Sequence, residues 1–167
     1  MRINLCEIIE MPGKSLPFSC ELETERLMCP SIKTFLSSPE AEGEIVNTAG
    51  ALTLLGTLRS DMLLVCDRCG CEYERRLELP IEAKLAADES DEDDPEVFPL
   101  EGDWLDLSDL LETCFILAMD QKSLCSESCA GLCSRCGKNL NDGPCDCKKE
   151  IDPRLAVLEQ LLTKKED

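Results

Sequence analysis

The chain has 167 residues, 35 of them acidic and 17 basic, for a formal charge of −18, and it carries 13 cysteines and no histidine. That length supports one core of ordinary size with at most a small appendage. The charge excludes a broad electropositive surface for nucleic acid, the missing histidine excludes Cys-His nucleophile chemistry, and no apolar run approaches the ~18 residues of a membrane span.

In chain order, the short alternation from Arg2 predicts a strand, a turn follows at Pro12-Gly13, and a second extended piece begins at Ser15. The opening residues, with Arg2, Glu7 and Glu10, hold no apolar run of the signal-peptide kind, so a cytoplasmic protein with reduced thiols is expected. Pro30 and Pro39 break the next stretch and make it linker-like. Residues 43–50, 51–66 and 71–87 then read as long β-rich segments punctuated by Gly50, Gly56, Ser60-Asp61 and Gly70, which predicts an antiparallel meander. In the last of these, Leu77, Leu79, Ile81, Ala83 and Leu85 alternate with polar residues, so one face is buried and the other wet. Pro80 argues for an edge position or a bulge.

Residues 88–112 contain 12 acids and no base. Such a run repels itself and reads first as a solvated loop, over 88–103, and second as a lure for a basic partner. A helix follows, with Asp106 as N-cap and Leu107, Leu110, Leu111, Cys114, Ile116 and Leu117 as its apolar stripe. Cys114 is expected as a packed core thiol. The last element starts with Asp152 as N-cap and Pro153 at the first helical position, with Leu155, Leu158, Leu161 and Leu162 on one face. The expected architecture is therefore α+β: an antiparallel sheet with two helices, residues 1–120 forming the main domain and 121–167 a cysteine-rich tail packed on it.

The cysteines carry the chemistry. Thiolates two to four residues apart can grip one tetrahedral Zn²⁺, and without histidine such a site is all-cysteine or admits a carboxylate. Cys133-Ser-Arg-Cys136-Gly137 is a knuckle, with glycine tolerating the left-handed backbone just after it, and Cys145 and Cys147 complete a first site across a turn built from Asn139, Asn141 and Asp142-Gly143. Cys66-Asp-Arg-Cys69-Gly70 is a second knuckle, and Cys125 and Cys129 are the remaining half, so counting assigns Cys66, Cys69, Cys125 and Cys129 to a second site. The alternatives are one site shuffled among the six tail cysteines, or a free upstream pair. Cys71 offers a substitute for Cys69, but the placement of Gly70 favours Cys69. A disulfide framework needs an oxidising compartment that nothing in the sequence suggests. Arg68, Arg135, Lys138, Lys148 and Lys149 lie within or beside the motifs, where they neutralise thiolate charge or contact phosphate.

These residues also carry a resemblance. The hairpin Cys66-DRCG, the acidic loop, the helix start Trp104-LDLSDLLE, the block Leu132-CSRCGKNLNDGPCDC and the terminal Asp152-PRLAVLEQLL together resemble the bacterial and plastid YceD-like family of large ribosomal RNA subunit accumulation proteins. The resemblance implies a role in synthesis, processing or stability of the large-subunit (23S) ribosomal RNA, with no established enzymatic activity. Joined to the charge, it leads to the expectation of a non-enzymatic assembly factor with one or two structural Zn²⁺ ions. Such a factor acts on RNA indirectly by holding a basic large-subunit ribosomal protein or a pre-ribosomal particle, with no membrane and no small-molecule substrate. The alternative is a zinc protein contacting ribosomal RNA directly through Arg135, Lys138, Lys148 and Lys149. An enzyme finds little support, since a zinc held by four thiolates has no open position to activate water and no glycine loop cradles phosphate.

Overall fold

A long β-hairpin organises the molecule, and the computed structural model describes residues 1–86 and 97–147. In chain order the elements are β1 (Arg2–Asn4), the helical turn α1 (Cys6–Ile9), β2 (Ser15–Glu21), the helical turn α2 (Thr24–Leu27), β3 (Ile32–Phe35), β4 (Glu40–Thr48), β5 (Ala51–Val65), β6 (Glu72–Ala86), β7 (Val97–Pro99), β8 (Trp104–Asp106) and α3 (Leu107–Ala118). A 3₁₀ turn at Leu140–Asp142 closes the described tail.

β5 and β6, 15 residues each, pair antiparallel along nearly their whole length, from Leu52↔Leu85 to Val65↔Glu72. Strand order is β2-β4-β5-β6-β7, with β4 flanking the first half of β5 and β3 the second. β7 joins β6 in parallel, so the sheet is mixed rather than wholly antiparallel. The stretch expected as a linker contains β3; four residues of Ile-Lys-Thr-Phe are too few for periodicity to reveal, and it is pairing with β5 that makes them a strand. Likewise β1 leaves the main sheet and pairs with β8 just ahead of α3. At Pro80 the outer side of β6 has no neighbour among the described strands, since β7 reaches only Lys84 to Ala86; the missing N–H costs nothing there.

The period of two decides which face is inside. Leu52, Leu54, Leu58, Met62 and Leu64 of β5 are buried with Leu77, Ile81, Ala83 and Leu85 of β6, Ile45 of β4 and Ile32 of β3. α3 lays Leu107, Leu110, Leu111 and Phe115 into this core, Phe115 meeting Phe35 with ring centroids 6.1 Å apart. Asp106 caps the helix by accepting from the Asp109 N–H. The stripe expected on this helix is narrower than its apolar residues: Ile116 and Leu117 face outward, 55% and 77% exposed. Cys114 packs against the core, and burial raises its pKa.

Two inward-facing glycines meet at the middle of the sheet, Gly43 of β4 opposite Gly56 of β5. A Cβ at Gly43 would fall on the Leu55 carbonyl oxygen, and one at Gly56 would lie 3.1 Å from Phe18 Cζ. The strands approach closely there and the Phe18 ring fills the space the missing side chains leave. The terminal helix expected from Asp152 and most of the acidic loop lie outside the described residues.

Candidate metal centres

The β5–β6 connection is built by the knuckle. Cys66 N–H donates to the Cys71 carbonyl at 2.9 Å and Gly70 N–H to the Cys66 carbonyl at 2.8 Å, with Gly70 at φ +69°. The same construction recurs in the tail, where Cys133 N–H donates to the Lys138 carbonyl at 2.8 Å and Gly137 N–H to the Cys133 carbonyl at 2.9 Å, with Gly137 at φ +71°. In each case the turn leaves two thiols on one side of the chain, and glycine is needed because its backbone is left-handed.

The chain after α3 is tied to the hairpin. Arg75 Nη1 donates to Asp120 at 2.5 Å, the Tyr73 and Ser123 hydroxyls lie 2.7 Å apart, and Ser123 N–H donates to Asp67 Oδ2 at 2.7 Å while Asp67 N–H donates to the Ser123 carbonyl at 2.8 Å. Arg68 Nη1 donates to the Cys129 carbonyl at 2.9 Å. These contacts bring Cys125 and Cys129 to Cys66 and Cys69. The four sulfurs lie within 4.8 Å of one another, as do those of Cys133, Cys136, Cys145 and Cys147. Both foursomes are the ones that spacing brings together.

A tetrahedral ion bound at ~2.3 Å by four sulfurs sets their separation at ~3.8 Å. Cys66 and Cys129 are 3.8 Å apart and Cys69 and Cys125 3.7 Å. The donors, their number and their spacing thus fit a divalent thiophilic cation, and either group can hold one metal ion.

Their titration has the same logic. Burial opposes ionisation of Cys66, but the N–H groups of Cys125, Cys69 and Arg68 outweigh it and bring its pKa down to about 6. The Asn141 amide lowers Cys129. Burial, with hydrogen bonds to neighbouring thiols, pushes Cys125 up to about 11; for Cys69 the Cys71 N–H favours the thiolate but neighbouring thiols and burial prevail, and its pKa rises. In the tail, the Cys136 and Arg135 N–H groups lower Cys133 to about 6, while Cys136 and burial raise Cys147 to about 12. Thiolates this close repel, so only some ionise until a cation neutralises them.

The groups differ in setting. Cys66, Cys69 and Cys129 are 2%, 7% and 3% exposed, whereas Cys136 is exposed and its three partners are half-buried. One residue that spacing did not mark joins them: Asn141, on the loop between Cys136 and Cys145, accepts the Ala130 N–H at 2.7 Å and donates to Cys129 Sγ at 3.4 Å. In the sequence it reads only as turn chemistry, and nothing local reveals a contact 12 residues away. Of the cations expected to neutralise sulfur, Arg68 and Lys138 reach carbonyl oxygens, Lys138 that of Pro144 at 2.7 Å. Lys148 and Lys149 lie outside the described residues.

Comparison with known proteins adds a family. Residues 54–162 match the family model described as large ribosomal RNA subunit accumulation protein YceD. Uncharacterized proteins of Mycobacterium tuberculosis and Mycobacterium bovis are 26% identical over 128 residues, covering 74% of this chain and 61% of theirs. The chain therefore spans about three-fifths of the length of these relatives. A chloroplastic protein of Arabidopsis thaliana, named as large ribosomal RNA subunit accumulation protein YCED homolog 1, is 36% identical over 53 residues, 32% of this chain and 16% of that one. No solved structure gives a significant match.

Proposed function

The chain belongs to the YceD family of large ribosomal RNA subunit accumulation proteins, and on that premise we propose that it supports accumulation of the large-subunit RNA without catalysis, by holding a basic protein of the assembling subunit. The observation that carries this reading is charge: 35 acids against 17 bases make the chain a poor direct ligand for an RNA polyanion and a good one for a basic protein. Two metal ions held by eight thiolates would deepen the imbalance.

The exposed face of the sheet adds to it. Glu40, Glu42 and Glu44 of β4 and Glu74, Glu78 and Glu82 of β6 point outward. Arg59 pairs with Glu42 and Glu78, but among the described residues no salt bridge reaches Glu44 or Glu82, which flank the exposed Leu55 in register. An acidic face around an apolar residue suits a basic partner with some apolar surface. The acidic run, with Asp91, Glu92, Asp93 and Asp94, supplies longer-range attraction in this reading. The metal ions, Zn²⁺ by the donor set, are structural: they hold the tail against the hairpin. Among the described residues no helix is long and apolar enough to cross a membrane.

The test is capture of the tagged chain from cells under reducing conditions with ribonuclease, followed by native mass spectrometry. A basic large-subunit protein that stays bound supports the reading, and neutralising Asp91, Glu92, Asp93 and Asp94 together is then expected to slow its association at low salt. Loss of every ribosomal component on ribonuclease treatment transfers the case to direct RNA binding by the tail.

A further inference from the structure

The two knuckles superimpose in their hydrogen bonds but differ in the residue after the glycine. Lys138 occupies that position in the tail; Cys71 occupies it in the hairpin. Because the turn uses only the carbonyl of this residue, accepting from the first cysteine's N–H at 2.9 Å in the hairpin, it does not require a thiol there. Yet Cys71 is half-buried against the cluster of Cys66, Cys69 and Cys129. Its sulfur lies 3.1 Å from that of Cys69. A fifth sulfur thus sits beside the buried group of four.

Five sulfurs cannot all serve one tetrahedral ion. The Cys69–Cys71 separation of 3.1 Å is well short of the ~3.8 Å edge that a shared ion imposes, whereas the Cys66–Cys129 and Cys69–Cys125 distances match it. Cys69 and Cys71 are therefore competitors for one corner rather than joint ligands. Both lie on the same turn, two residues apart, so one can replace the other without moving the hairpin. Zn²⁺ imposes no d-electron preference that would resist such a swap.

We propose that Cys71 is a reserve ligand of the buried metal site, exchanging with Cys69 at the fourth corner while Cys66, Cys125 and Cys129 hold the other three. In the exchange the Cys71 thiol gives up its proton as its sulfur takes the corner, and the departing Cys69 sulfur accepts that proton, so the number of thiolates is unchanged. The exchange gives the buried site a route for metal entry and exit that the tail site, with Lys138 in this position, lacks. This rests on reading the cysteine groups as metal sites.

The experiment counts ions on the full-length chain loaded with Zn²⁺, by native mass spectrometry, and follows their loss to a chromogenic chelator. Wild type is expected to carry two ions; fewer overturns the metal reading itself, and the proposal with it. With two ions in wild type, Cys66→Ser is expected to carry one, Cys69→Ser to keep both with one released about tenfold faster, and Cys69→Ser/Cys71→Ser to carry one. A Cys69→Ser protein that folds but holds a single ion overturns the proposal and leaves the metal reading standing. Should Cys69→Ser fail to fold, Cys71→Ser decides: its buried ion is expected to leave several-fold more slowly than in wild type, and an unchanged rate overturns the exchange.

Discussion

The hairpin group and the tail group share one knuckle and four thiols, but they hold together very different things. Cys66 and Cys129 are 63 residues apart in sequence and Cys69 and Cys125 are 56 apart, so the buried group joins the tip of the central hairpin to the chain beyond α3. All four tail thiols fall within residues 133–147, a segment that contributes no member to the main core. Ligand chemistry therefore does not set the structural consequence of a metal site; what counts is which cooperative unit must open to destroy it. An ion bound only when a unit is folded stabilises that unit by linkage, about 4 kcal/mol when free ion exceeds the dissociation constant a thousandfold. For the buried group that unit includes the sheet, and for the tail group it is a loop.

Under zinc buffered well above the dissociation constants, Cys66→Ser is expected to lower the stability of the sheet by about 4 kcal/mol, and Cys136→Ser to change it by less than about 1 kcal/mol, both read from chemical unfolding followed by far-UV circular dichroism. Equal losses from the two variants would show that tail and sheet unfold as one.

Much of this arrangement was legible in the sequence. The meeting of Cys66 and Cys69 with Cys125 and Cys129 follows from counting thiol pairs, and β5 and β6 follow from length and alternation. Other parts were not. β3, β7 and the single turns α1 and α2 have three or four residues each and owe their conformation to what they touch. Ile116 and Leu117 look like core in any helical projection, yet the sheet offers no surface to cover them among the described residues. Asn141 reaches Cys129 through a contact that spacing does not encode, whereas Cys71 stands out already as a substitute for Cys69.

Acid also separates the two groups. Protons compete with metal for sulfur, so affinity falls as pH falls. In the absence of metal, Cys66 and Cys133, each near 6, ionise at neutral pH, while Cys125 and Cys147, near 11 and 12, keep their protons. Binding at pH 7 must therefore release protons at both sites, and lowering the pH through 6 protonates the remaining anchors. Stepwise acidification with a zinc indicator is expected to empty the exposed tail group before the buried one. A single release step would erase the distinction between them.

The smallest effect concerns the link between the groups. Asn141→Ala removes the amide donor to Cys129 Sγ, a hydrogen bond to a charged group worth about 1.5–3 kcal/mol. It is expected to weaken zinc at the buried group, by chelator competition, with the ion count still two. Unchanged affinity would make the two groups independent.

The staple between Tyr73 and Ser123, with Arg75 holding Asp120 beside it, has a kinetic consequence. Neither contact involves sulfur, so the strand and the segment after α3 find each other without an ion. Cys125 and Cys129 then wait next to their partners, and capture of an ion is a local event rather than a search through some 60 residues of loose chain. A newly made molecule can fold first and load afterwards, at whatever pace the supply of metal allows.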